Sequence, residues 1–303
     1  MAITKRPALA LCLVGLIVAP LGAQNLALPA PMTHAAAHPT AQSADLNGID
    51  AALRADDNFE IQQALENALA LLNDGRTNQK TAERIPGWLR TLIGLNRFDE
   101  AGDFALAVIN ARPTDLKLIE SRQQYRIRAK LLQNNPREAL PLAKGLYNLC
   151  AMPNTSKAID LISECLYDLS AGTDQASADP AGAVKRFRLE QIRGAATTQP
   201  ASADATTLSQ IQIDPQPYAS GLEHARLLDN GWDAAMATGN LLLLSGQPSK
   251  AAKAFAKAYS LASDENLAAA TEAVARAMRA EDGTVGRANA WILSLRPPEQ
   301  ATP

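Results

Sequence analysis

Aromatic residues make up only 4% of this 303-residue chain, which holds three histidines and three cysteines. With so few rings, the core has to come from alanine and leucine, through close approach of helices. Two of the histidines, His34 and His38, fall in an Ala/Pro-rich leader, so His224 is the one imidazole beyond it. Any His-based triad or metal cluster would have to be built around that ring, and a surface histidine on a helix is the simpler account. The four-residue spacing of His34 and His38 suits metal ligands on a helix, but Pro29, Pro31 and Pro39 argue against a helix there. There is no glycine-rich phosphate loop, no C-x-x-C and no G-x-S-x-G. The run from Leu244 to Lys250 lacks the second glycine that a P-loop needs. A net charge of −2 without a long basic block gives no electrostatic footprint for nucleic acid. These absences predict no catalytic set, no metal, no cofactor and no nucleic-acid partner.

Long apolar runs are also missing after the first two dozen residues. Lys5 and Arg6 precede an apolar stretch from Leu9 to Leu21 that ends near Gly22-Ala23. About thirteen residues are too few for a transmembrane span, so residues 1–23 read as a secretory signal cleaved after Ala23. Cys12 lacks the lead-in of a lipid-modified cysteine. The expected product is exported, periplasmic or secreted, without an integral span. Residues 24–44, rich in Ala and Pro and almost without charge, form a disordered leader. Cys150 and Cys165 flank the turn Met152-Pro153-Asn154-Thr155. Their offset along antiparallel helices, roughly 12 Å at 1.5 Å per residue, predicts two buried free thiols rather than a disulfide.

From Asp45 the apolar spacing turns helical. Leu46, Ile49 and Leu53, then Phe59, Ile61, Leu65, Leu69 and Leu72, give a first hairpin, with Asp57 and Glu60 as a capping box. Ile85 to Pro113 gives a second: Trp88, Leu89, Leu92 and Ile93 mark one helix, Asn96 caps the next, and Ala101, Ala105, Val108 and Ile109 face inward. Thr114 to Leu149 repeats the plan with Leu118, Tyr125, Ile127 and Leu131. Asn135-Pro136 then starts a helix bearing Ala139, Leu142, Ala143 and Leu146. Asn154–Ser170 pairs with Pro180–Ala195. Residues 196–216, rich in Pro, Thr and Ser, form a loop or linker between an N-terminal helical array (45–195) and C-terminal repeats (217–296), and 297–303 is a tail. The array is read as continuous across the linker, with two domains as the alternative.

The best-formed unit is 232–265. It resembles a tetratricopeptide repeat, whose pattern is W-x2-L-G-x2-Y, then A-x3-F, then P. Ala235, Thr238, Gly239 and Leu242 fill the first-helix positions, Ala251 and Phe255 the second, and Ser263 the end. Gly239, Ala251 and Phe255 match, with Ala258 small one turn later. Asn96 to Ala101 is similar to the family's turn into its second helix, with Pro113 twelve residues on, and Asn135 to Ala139 echoes it. The resemblance implies an all-α, right-handed α-solenoid of five or six antiparallel helical hairpins. In it Gly239, Leu242, Ala251, Phe255, Ala258, Ala101 and Ala139 serve packing rather than recognition.

A solenoid of this kind implies an interaction module or scaffold for a peptide or protein partner in the cell envelope. Arg122, Tyr125 and Arg126 stand at i, i+3 and i+4, with Arg128 and Lys130 beyond, so they share a face on a first helix. They are the candidate partner-binding residues, suited to a carboxylate or an acidic segment; the alternative is a solvated face covering Tyr125. The competing class is an all-helical toroid enzyme acting on envelope polysaccharide, which needs two carboxylates across a cleft. Asp56-Asp57, Asp99-Glu100, Asp264-Glu265 and Glu281-Asp282 lie at or near helix ends, where capping and the helix dipole account for the first three.

Overall fold

Spacing of apolar residues by three and four is realised as eleven α-helices among the described residues, and no strand occurs there. The computed structural model describes residues 46–55, 57–74, 77–151, 155–171 and 210–282, all within one unit, Ser43–Pro303. The helices are α1 (Leu46–Ala52), α2 (Asn58–Asn73), α3 (Asn78–Gly94), α4 (Phe98–Ala111), α5 (Leu116–Leu132), α6 (Pro136–Leu149) and α7 (Thr155–Ala171). After a 3-10 turn at Gln216–Tyr218 come α8 (Ala219–Arg226), α9 (Gly231–Leu244), α10 (Pro248–Leu261) and α11 (Asp264–Asp282). The second helix expected at 180–195 and the last part of the C-terminal repeats, residues 283–296, lie outside the described residues.

Three of the turns between helices share one geometry. Asn96 (φ 59°), Asn134 (φ 56°) and Gly246 (φ 69°) occupy the left-handed region just past the ends of α3, α5 and α9. The next residue donates its N–H back five positions, Arg97 to Leu92 O, Asn135 to Lys130 O and Gln247 to Leu242 O, at 2.8–2.9 Å. This is the Schellman closure, which satisfies the last carbonyls of a helix. Asn96 therefore ends α3 and does not cap α4, whose N-cap position is held by Arg97 without a side-chain bond. Asparagine tolerates the left-handed region through its short polar side chain, which explains its appearance where glycine stands in the third copy. Asn135 does cap α6, accepting from Glu138 N at 3.3 Å with Pro136 at the first helical position.

Five residues after each left-handed position comes an alanine with no exposed surface: Ala101, Ala139 and Ala251. Four residues further stand Ala105, Ala143 and Phe255, and three more bring Val108, Leu146 and Ala258, again fully buried. One face of α4, α6 and α10 is thus written in the same register. Twelve residues before each alanine, the preceding helix carries Leu89, Ile127 and Gly239. Large residues there accompany a small partner position (Ala105, Ala143), and the glycine accompanies Phe255. A Cβ on Gly239 would stand 2.5 Å from Phe255 Cδ1 and Cζ, so the ring fills the space that the glycine leaves.

Two boundaries differ from the periodicity. α3 begins at Asn78 and runs through Pro86, because Thr81, Ile85, Trp88, Leu89 and Leu92 form one buried stripe. Phe59, two residues before the buried Ile61, is 74% exposed. Residues two apart are about 200° apart around a helix, and the buried face of α2 is Ile61, Ala64, Ala68 and Leu72.

Neighbouring helices pack in chain order from α1 to α7 and from α8 to α11. The helices after residue 216 also return to the earlier ones: α8 lies on α4, and α9 and α11 lie on α6. One hydrophobic cluster joins Ile109, Ile119 and Leu149 to Tyr218, Leu241, Phe255 and Val274. The approach of α9 to α6 is close, since a Cβ on Gly145 would meet Leu244 O at 2.6 Å. The linker thus connects segments that share a core.

Candidate functional site

Between α3 and α5 lies a groove of about 620 Å³. α3 contributes Gln79, Ala82, Glu83 and Pro86, and α5 contributes Lys117, Ser121, Arg122, Tyr125 and Arg128, with Asp115 at its start. Asp115 caps α5 by accepting Leu118 N at 2.9 Å, which fixes the end of the helix beside the groove. Pro86 shapes the opposite wall. Having no N–H, it cannot donate to the carbonyl of Ala82, one turn earlier. That carbonyl is the group toward which Arg122 points, with Nη2 at 3.4 Å.

The three residues grouped on one face part company. Arg122 is 4% exposed and lines the groove; its Nη1 donates to Ser121 Oγ at 3.2 Å, and its Nε, also buried, has no partner. Burial holds its pKa below the ordinary arginine value, opposed by Tyr125 and Asp115. Tyr125 lines the groove half-buried, its hydroxyl a long 3.5 Å from Pro86 O. Arg126 is 8% exposed and belongs to the interior. It donates to Tyr218 Oη at 2.8 Å and to Gln123 Oε1 at 3.0 Å, and its guanidinium lies 5.5 Å from the Tyr218 ring centre. Gln123 in turn donates to Leu142 O at 3.0 Å. Arg128 pairs with Glu164 at 2.9 Å, and Lys130 with Glu138 at 3.1 Å. Neither a uniform binding face nor a uniform solvated one describes the five residues.

The packing residues Gly239, Leu242, Ala251, Phe255, Ala258, Ala101 and Ala139 are all buried. His224 is exposed in the last turn of α8, and no group of three metal-binding side chains occurs among the described residues. Cys150 and Cys165 are free and buried; burial, ahead of nearby carboxylates, pushes both thiols up to about 12. Asp57 caps α2 through Phe59 N and Glu60 N, while Asp99-Glu100 and Asp264-Glu265 occupy first turns of α4 and α11. His34 and His38 lie outside the described residues.

Sequence reading missed a second polar cluster. Arg276 and Arg279 of α11, each 4% exposed, reach the end of α6. Arg276 donates to Leu149 O at 3.1 Å, and Arg279 to Tyr147 O at 2.9 Å and Cys150 O at 2.7 Å. Two cations at a helix C-terminus meet carbonyls that have no intrahelical donor. Burial raises the pKa of nearby Glu120, with Arg276 opposing. Their i, i+3 spacing on a face of alanines was the available signal.

A pocket of about 550 Å³ between α1 and α2 is lined by Ile49, Ala52, Glu60, Gln63 and Ala64. No described helix is long and apolar enough to cross a membrane. No protein-family model, curated protein or solved structure matches this chain.

Proposed function

We propose that the chain is a helical-repeat scaffold, a tetratricopeptide-like right-handed solenoid exported through its first 23 residues, which holds a peptide or protein partner in the groove between α3 and α5. The groove carries the reading. It lies between the first helices of two successive hairpins, and its lining mixes a buried guanidinium, a tyrosine and neutral amide and hydroxyl groups. Such a surface suits an extended chain with alternating polar and apolar groups. The shared turn geometry and the alanine register of α4, α6 and α10 support the repeat assignment.

The polysaccharide-enzyme reading has one observation in its favour, since Glu83 and Asp115 line the same groove. Asp115, however, spends its carboxylate on the α5 cap, which leaves one uncommitted acid where hydrolysis needs two. A photo-crosslinking amino acid placed at Gln79 or Gln124 in cells should trap a protein partner. The same group at His224, exposed on α8, should not. Equal trapping at all three positions, or none at the groove, refutes the groove as the docking site.

A further inference from the structure

We propose that Arg122 is the anchor for a single carboxylate on the peptide that docks between α3 and α5. This rests on the groove reading above and adds the chemistry of the ligand. The motive is a contrast among four arginines that are all at most 8% exposed. Arg126, Arg276 and Arg279 each place a donor 2.7–3.1 Å from a phenol or carbonyl oxygen of another element. Arg122 does not. Its shortest bond, 3.2 Å, goes to the hydroxyl of its own neighbour Ser121 and the next is 3.4 Å; its Nε, like that of Arg276, has no partner. Among the described residues it makes no ion pair, and it lines the groove between α3 and α5.

A buried guanidinium with an idle N–H on the wall of a groove is a strong, unfilled hydrogen-bond donor set. An incoming carboxylate regains the interaction that the folded chain has left unmade. Tyr125, one turn on along α5, holds its hydroxyl only loosely to Pro86 O and can donate to the same anion. The rest of the lining limits the ligand. Glu83 and Asp115 offset Lys117 and Arg128, the other charged groups of the lining, which leaves Arg122 as the one unbalanced positive charge. The fit is therefore one glutamate or aspartate side chain flanked by neutral residues, not an acidic run.

The test uses the full chain and the side-chain Nε–Hε resonance of Arg122, identified by its loss in Arg122→Lys. Three capped nine-residue Ala/Ser peptides are titrated, carrying at their centre one glutamate, one glutamine or three glutamates, with inorganic phosphate as a fourth probe. The single-glutamate peptide should move that resonance and bind about tenfold or more tightly than the glutamine peptide. Arg122→Lys, which lacks the planar fork, should abolish most of that difference. If Arg122→Lys does not fold, by circular dichroism, the comparison of glutamate with glutamine on the wild-type chain still decides. Equal binding of the glutamate and glutamine peptides overturns the anchor while leaving the groove as a peptide site. Stronger binding of the three-glutamate peptide overturns the single-carboxylate specificity. A response to phosphate but not to glutamate, or to no probe, overturns the proposal, whereas crosslinking at Gln79 and Gln124 judges the groove separately.

Discussion

Single positions in this chain are set by volume. Gly239 and Phe255 on α9 and α10 occupy the register that Leu89 and Ala105 occupy on α3 and α4. Phe255→Ala should cost about 3–5 kcal/mol, because the ring has no exposed surface and the glycine opposite cannot fill the cavity. Gly239→Leu alone should cost more than ~3 kcal/mol, since even its Cβ collides with the ring. The pair Gly239→Leu with Phe255→Ala rebuilds the Leu–Ala arrangement of the earlier hairpin. Its loss should fall at least about 2 kcal/mol below the sum of the single losses, measured by urea unfolding. Additive losses would mean that the two registers are not equivalent. The thiols act at this scale too. A buried thiol pushed up to about 12 from 9.0 keeps its proton in the native state while the unfolded chain releases it. Cys165 therefore adds its full share of stability below about pH 9 and loses it as pH climbs toward 12, about 1 kcal/mol per pH unit. The fall in Tm between pH 8 and pH 10.5 should be smaller in Cys165→Ala than in the wild type.

Helices are where the sequence speaks most clearly, and also where it hides a shared turn. Inward faces such as Ala101–Ala105–Val108 and Ala139–Ala143–Leu146 are legible from spacing, and both are fully buried. The shared Schellman turn is visible only at Gly246, because Asn96 also reads as a helix cap and Asn134 stands directly before the cap Asn135. Only φ near 60° distinguishes the two roles. Gly246→Ala should cost about 1–2 kcal/mol from the left-handed penalty, with Ile213 side-chain atoms already 3.1–3.4 Å from a Cβ there. Asn96→Gly and Asn134→Gly should change stability by less than about 0.5 kcal/mol, since glycine adopts that conformation freely. Thermal melts of the three variants check the contrast, and equal losses would contradict the common turn. The Arg122–Arg126 face was harder to read. Four residues apart on α5 they share a stripe in projection, yet one guanidinium bends toward α3 and the other toward Tyr218, about 90 residues away in sequence. Helical spacing fixes where a side chain leaves the helix, and long flexible arginine side chains take their end points from tertiary neighbours.

At the scale of the whole molecule, the open question from sequence was whether the linker separates two domains. Periodicity names the faces that must be covered but not what covers them; nothing near Gly145 in the chain points to Leu244. The residues just before α8 brace this return. Ile211 O accepts from Lys144 Nζ at 2.7 Å, Pro217 O from Asn110 Nδ2 at 3.0 Å, and Tyr218 receives Arg126. A cluster that includes Ile109, Leu149 and Val274 cannot be exposed on one side of the linker without being exposed on the other. Unfolding should therefore be one transition for both halves. Trp88, on α3 within the cluster of α1 to α5, and Trp232, on α9 against the shared cluster, report from the two halves of the chain. With the other two tryptophans replaced by phenylalanine, each single-tryptophan chain should show fluorescence and far-UV circular dichroism midpoints in urea that coincide within about 0.2 M. Removing the brace with Tyr218→Phe leaves the buried Arg126 without its phenol acceptor. It should lower both midpoints together, by about 1.5–3 kcal/mol in stability. If Trp232 instead unfolds ahead of the dichroism while Trp88 does not, the C-terminal helices form a domain of their own, and the shared core is not what holds them.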